Sequence, residues 1–377
     1  MILWAQGQYG ECAALFEEAA ALNEACGDMV NVTINLTNLA ALQSTLLQHH
    51  EAVSSFQRAL KTLEVNDDLV VRTGLLTNLG ATQLQMGQGR AADETLQHSA
   101  ALQRSMPDVL ERQLTTLYQL GACSVQRGDY RAAQAHCERI LNLAAVTDSH
   151  VRPAAHRLLA LISLGCGQTD LAEGWLAQAM SVTQLRPDAQ VACLIAKSLI
   201  DERRGLNPYH WLDAAGALDV GHPYARIQLE LWRSMLLPAT LARSLALETL
   251  EIARRSELYG VQIMAHTRLS EILLQSSDAA DIAEALDHAS HATQLISEYD
   301  ALPQGFGRAA VLLTHHRALK ANGRPEAGTA LEHALDWVGS SADLRVSPDA
   351  RTSFLERTPV NAEILAAARS AGLKLPT

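Results

Sequence analysis

The sequence predicts an all-α fold, a right-handed superhelical solenoid of about eight helical pairs. Three observations predict it. Asp28, Asp68, Asp108, Asp148 and Asp188 stand forty residues apart, five in a row. Small residues keep two further registers: Ala40, Gly80, Gly121 and Ala160, then Ala52, Ala92, Ala133 and Ala172, each twelve residues later. Apolar residues make up 48% of the chain but aromatic ones only 4%, and Ala, Leu and Gln outnumber β-branched types, which favours helix. Registers held in phase over about 160 residues mark a repeat chain.

From Asp28 to Pro187 each unit reads alike. The Asp caps a helix by accepting from its free N–H groups. About sixteen residues follow with apolar positions at helical spacing, as in Leu75, Leu76, Leu79 and Leu84. A short turn comes next: Gln48-His49, Gly87-Gln88-Gly89, Gly128-Asp129 or Gly167-Gln168. Then a second helix follows, as in Arg131 to Leu143. Gly80 with Ala92, and Gly121 with Ala133, mark close helix approaches, with Phe56, Leu96, Cys137 and Leu176 filling the space beside them. Neither helix can bury its apolar stripe alone, so the units must stack.

The chain starts inside this pattern. Gly7-Gln8-Tyr9 matches Gly128-Asp129-Tyr130, Phe16 matches Phe56, and Ala19 matches Ala59. Met1 therefore falls past the midpoint of a first helix, so the first pair is truncated and its apolar end open. Either a longer protein or a partner covering Leu3, Trp4, Leu15 and Phe16 is expected. Beyond Asp188 the register loosens. Helical pairs are expected at 189–219, 222–257, 259–299 and 304–339, punctuated by Asn207-Pro208, His222-Pro223, Leu237-Pro238, Leu302-Pro303-Gln304-Gly305 and Gly323-Arg324-Pro325. Ser347-Pro348-Asp349 then opens two closing helices, Pro348 to Arg357 and Asn361 to Ala371. Three parts result: regular repeats over 1–187, degenerate pairs over 188–340 and closing helices over 341–377.

Asn38-Leu39-Ala40 with Ala52, Phe56 and Ala59, and Asn78-Leu79-Gly80 with Ala92, resemble the tetratricopeptide repeat. The forty-residue period resembles the longer-helix variety found in kinesin light chains and bacterial signalling regulators. Phe354-Leu355-Glu356-Arg357, Pro359-Val360-Asn361 and Leu365-Ala366 resemble the closing motif of bacterial multidomain regulators, over roughly 310–370. Those proteins carry a cyclase, kinase, NTPase or DNA-binding effector ahead of such an array, and no effector is present here. The resemblance implies a protein- or peptide-binding array in signalling or transcriptional regulation.

Composition narrows the partners. Net charge is −11, and lysine occurs only at Lys61, Lys197, Lys320 and Lys374, so direct nucleic-acid binding or adhesion to an anionic membrane is not expected. Cys12, Cys26, Cys123, Cys137, Cys166 and Cys193 form no C-x-x-C pair and read as reduced, buried thiols of a cytoplasmic protein. The N-terminus lacks a signal peptide, and no apolar run nears the roughly 18 residues of a membrane span.

Catalysis finds no support. There is no Gly-Lys dipeptide for a P-loop, no H-E-x-x-H and no G-x-S-x-G. Gly87-x-Gly89, Gly165-x-Gly167 and Gly305-x-Gly307 sit at helix turns. His288 and His291 are one turn apart but read as the polar face of a surface helix. Arg203-Arg204 and Arg254-Arg255 read as helix-end cations favoured by the dipole. Trp175, Trp211, Trp232 and Trp337 read as core. No cofactor and no metal is expected.

The concave groove is the better candidate. Matching positions on successive first helices place Asn38, Asn78 and Gln119 at one point, preceded by Thr37, Thr77 and Tyr118. Ser44, Thr45, Gln85 and Gln126 come about two turns later. Side-chain amides can donate and accept to a peptide backbone without demanding one residue type. Inter-helix bridging is the competing use of these amides. Arg157, with Arg152 nearby, adds a positive point for an acidic partner. Near-absence of Lys in these units argues against the Lys-and-Asn carboxylate clamp of co-chaperone tetratricopeptide domains. The expectation is a non-catalytic scaffold that takes a partner segment in this groove. The alternative is a sensor or oligomerisation module working through the N-terminal face.

Overall fold

The computed structural model describes residues 9–63, 68–106, 109–144, 149, 151–182, 185–218 and 222–376. Asp108, Asp148, Leu3 and Trp4 lie outside them. Within them the secondary structure is helical throughout, as an α-α superhelix. Helix α1 (Tyr9–Ala25) takes the place of a second helix in the repeat. Four pairs follow: α2 (Met29–Thr45) with α3 (His49–Thr62), α4 (Leu69–Met86) with α5 (Gly89–Gln103), α6 (Leu110–Gln126) with α7 (Tyr130–Leu143), and α8 (Val151–Gly165) with α9 (Thr169–Met180). The later pairs are α10 (Pro187–Arg203) with α11 (Tyr209–Gly216), α12 (Pro223–Leu236) with α13 (Ala239–Arg255), α14 (Tyr259–Leu273) with α15 (Ala279–Glu298), and α16 (Arg308–Ala321) with α17 (Ala327–Leu344). A 3-10 turn at Pro348–Ala350 leads into α18 (Arg351–Glu356) and α19 (Pro359–Ser370).

Caps and small residues set the repeat. Asp28 accepts from the Asn31 N–H at 3.1 Å, and Asp68 accepts from Val70 and Val71 at 2.9 and 3.1 Å. Asp188 is different: Pro187 takes the first helical position, so Asp188 lies inside the first turn of α10 and pairs with Arg186. A methyl on Gly80 would meet Leu96 Cγ at 2.6 Å, so α4 and α5 touch there. Gly121 is not needed for space, since its nearest contact would be an ordinary 3.5 Å. Phe56, Leu96, Cys137 and Leu176 are all buried, as their place beside the crossing demands.

The turns between paired helices need a left-handed residue. Gly87, Gly128 and Gly167 supply it, but the first full pair uses Leu47, at φ 64. Five cysteines are buried and Cys26 is exposed, a departure from the all-buried expectation, because Cys26 lies in the turn after α1. Trp232 is core, and Trp211 donates to Asp201 at 2.7 Å.

The superhelix closes on itself, which local periodicity does not announce. Consecutive turns of the first half meet consecutive junctions of the second. His50 contacts Glu257 at 2.5 Å. Gly87 lies against Gly260 and Ala301. Leu302 donates its backbone N–H to Gln126 O at 3.0 Å, and Arg131 donates to Arg345 O at 2.8 Å. Thr358 donates to Gly165 O at 3.2 Å. The partners are 173 residues apart in Arg127 to Asp300 and 215 in Arg131 to Val346. One core cluster holds Leu96, Cys137 and Leu158 together with Leu313, Phe354 and Ile364. Among the described residues no helix is long and apolar enough to cross a membrane.

Candidate functional site

The first helix of each pair presents one side to the inner surface of the superhelix. Asn38 on α2 and Asn78 on α4 are exposed, and Gln119 on α6 is half-buried. None of these three amides has a hydrogen bond among the described residues. Packed helices stand roughly 8–10 Å apart, so the three amides form a ladder with one rung per pair. Each rung keeps both a donor and an acceptor.

The flanking polar residues are spent within the fold. Thr37 donates to Thr33 O at 2.7 Å. Thr77 is 5% exposed and meets Thr116 Oγ1 at 2.8 Å and Ser99 Oγ at 3.0 Å. It joins α4, α5 and α6 and is not presented to the groove. Gln85 Oε1 meets His49 Nε2 at 3.1 Å, while Ser44 meets Thr82 at 3.2 Å and Thr45 donates to Ala41 O. Gln126 accepts from Leu302 through its backbone carbonyl, not its side-chain amide.

Arg157 is the main correction. It is 8% exposed, donating to Gln304 Oε1 at 2.8 Å and to Tyr118 Oη at 3.1 Å. Both hands of the guanidinium are engaged within the chain, so it offers no open positive point. Its neighbour Arg152 is exposed.

What satisfies Arg157 is the linker between α15 and α16, residues 300–307. This non-helical stretch crosses the first helices of several pairs. Leu302 bonds Gln126 at the end of α6, Gln304 bonds Arg157 on α8, and Gly305 lies against Leu161, Leu199 and Trp232, on α8, α10 and α12. Ala301, Leu302 and Phe306 are buried. By sequence alone Leu302-Pro303-Gln304-Gly305 reads only as a helix boundary. Its signal was available: buried-type residues at 302 and 306 inside a Pro/Gly stretch too long for a simple turn.

The linker is anchored by charge. Asp300 accepts from Arg127 Nε at 2.9 Å and from Arg308 Nη2 at 2.7 Å, and Arg127 also pairs with Asp93 at 3.1 Å. The expected cationic helix ends are likewise paired internally: Arg204 reaches Asp170 and Glu173, and Arg255 reaches Glu251.

The histidines behave differently from the surface face expected of them. His291 is exposed, but His288 turns inward, its Nδ1 2.7 Å from Nδ1 of His266 on α14. His266 also faces Arg254 from α13 and stacks on His291, while Glu284 sits 3.7 Å from His288. Burial first, then the positive neighbours, push His266 down to about 3. Its folded value lies below the unfolded one, and it is a base, so its contribution is complete above about pH 6.5 and falls away as pH drops toward 3. Urea unfolding at pH 7 and pH 5 should therefore show a lower midpoint at pH 5. His266→Gln should flatten that dependence, and an unchanged slope would remove His266 as its source. Among the described residues no group of three His, Cys, Asp or Glu side chains is placed to hold a metal ion.

No family model matches the sequence, and no curated protein does. Solved structures do. A Rap conjugation gene regulator of the plasmid pLS20, in complex with the Phr* peptide, aligns with a TM-score of 0.60 at 15% identity, over 73% of this chain and 77% of that one. The human IFIT1 dimer with m7Gppp-AAAA aligns at 0.49 with 15% identity, over 90% and 77%. Yeast Tom70 aligns at 0.34 with 14% identity, over 96% of both chains. The paired helices, the two small-residue registers and the first of these alignments agree: by its fold, the chain is a tetratricopeptide-like helical-repeat protein.

Proposed function

We propose that the protein is a non-catalytic scaffold that binds an extended segment of a partner along its inner groove, within bacterial signalling or transcriptional regulation. The observation that carries this reading is the linker at 300–307. The same face already holds a non-helical stretch of chain, through a main-chain hydrogen bond from Leu302 to Gln126 and a side-chain one from Arg157 to the Gln304 amide oxygen. The open rungs Asn38, Asn78 and Gln119 continue the same face toward the N-terminus, and amides suit a peptide backbone. The Rap regulator of similar fold was solved with a peptide bound, which supports the class of ligand.

A second reading has its own observation. Leu15 and Leu22 on α1 are 53% and 61% exposed, a patch suited to an effector domain or to another copy of the chain. One experiment separates the two. Partner capture from lysate is followed by hydrogen-exchange footprinting, for the native protein and for Asn78→Ala with Gln119→Ala. We expect protection on α2, α4 and α6 and at least tenfold weaker capture by the variant. Equal capture by both, with protection on α1 instead, would discard the groove in favour of the N-terminal face.

A further inference from the structure

The outer surface carries a second candidate site. A cavity of about 300 Å³ opens between α5 and α7, above α6. Leu117 and Leu120 form its floor. Gln97 and Arg104 stand on one wall, His136 and Arg139 on the other. Its size falls at the lower end of small-molecule sites, and its lining has their usual make-up, an apolar floor with a few converging polar groups.

The repeat itself shows that this space is particular to one unit. In the next pair, thirty-nine residues on, the positions of Leu117 and His136 are His156 and Trp175. There the two rings stack at 5.8 Å and 22°, filling the corresponding furrow. In this unit Leu and His are too small to meet in that way, and the furrow stays open. The rim is particular too. Arg139 falls where the next pair has Gln178 and the preceding one His98.

The charge around the cavity is unbalanced. Neither the Arg104 nor the Arg139 guanidinium has an ion pair or hydrogen bond among the described residues, and both residues are exposed. The acidic groups nearest His136 are already engaged: Asp93 pairs with Arg127, and Asp129 caps α7 through Ala132. Glu138 accepts from Gln134. In a chain of net charge −11, two uncompensated guanidinium groups beside an apolar floor are a local reversal of sign. Guanidinium groups favour carboxylate, sulfonate and phosphate oxygens.

We propose that this outer cavity binds a small organic anion, its apolar body on Leu117 and Leu120 and its acidic group between Arg104 and Arg139. The site is independent of the inner groove.

The probe is 8-anilinonaphthalene-1-sulfonate, compared with the uncharged N-phenyl-1-naphthylamine. We expect saturable, one-to-one fluorescence enhancement with the sulfonate, weakening as salt is raised. Arg104→Gln with Arg139→Gln should weaken it at least tenfold and leave the neutral dye unaffected. Both arginines are exposed, so this variant should keep the native circular dichroism and unfolding midpoint. His136→Trp, which copies the filled neighbouring unit, should abolish binding of both dyes. Loss with His136→Trp alone would overturn the anion assignment. No saturable binding to the native protein, or binding indifferent to both variants, would overturn the site.

Discussion

Gly87→Ala should lower stability by about 2–5 kcal/mol, summing a left-handed residue's cost of about 1–2 with overpacking of about 1–3. Gly87 sits at φ 88, and an added methyl would lie 2.7 Å from the Gly260 nitrogen. The obstruction is backbone, so no side chain can swing aside. Gly27→Ala is the control. Gly27 has φ 75 but nothing within 4 Å of the added carbon, so it reports the dihedral cost alone. Urea unfolding of both variants isolates the worth of turn-against-turn contact. Equal losses would mean that the two halves gain nothing from this approach.

Asp300→Ala should cost about 2–4 kcal/mol. Removing one partner of a buried ion pair typically costs about 3–5 kcal/mol, and residual exposure lowers the figure here. Arg127, Asp300 and Arg308 keep 28%, 21% and 27% of their side-chain surface. Without Asp300 the two arginines face each other across the linker. Asp93→Ala should cost less, because Asp93 is more exposed and pairs with Arg127, whereas Asp300 holds two arginines. A denaturant midpoint lowered equally by both would show that Asp300 is no special anchor. The same variant should loosen residues 300–307 on the inner face, visible as faster amide exchange at Leu302, whose N–H bonds Gln126.

The sequence revealed whatever each repeat must do locally. Asp28 and Asp68 cap because a helix start leaves N–H groups unpaired. Gly80 with Ala92 is small because two helices cross there. These needs recur every forty residues and so become visible as a register. The candidate groove was half legible. Asn38 and Asn78 are exposed and Gln119 is half-buried, but the fate of Arg157 depended on Gln304, 147 residues away. Nothing periodic links those two. Thr77 was misplaced for a related reason. Adjacent positions on a helix face different ways, so sharing a row with Asn78 did not mean sharing its exposure. His266 escaped notice because an isolated His in an apolar helix gives no signal until His288 is brought against it.

The meeting of early turns with late junctions has a mechanical consequence. In an open array each repeat touches only its neighbours, so end units can fray singly and the whole can stretch like a spring. Here Gly87, Gln126, Arg131 and Gly165 are fastened to positions in the next winding. The pitch is clamped over α4 to α8, and a middle unit cannot open without releasing its distant partner. A segment bound as proposed above would meet a groove of fixed width there, and would have to fit the spacing of the first helices as it found them, because the clamped coil could not tighten around it.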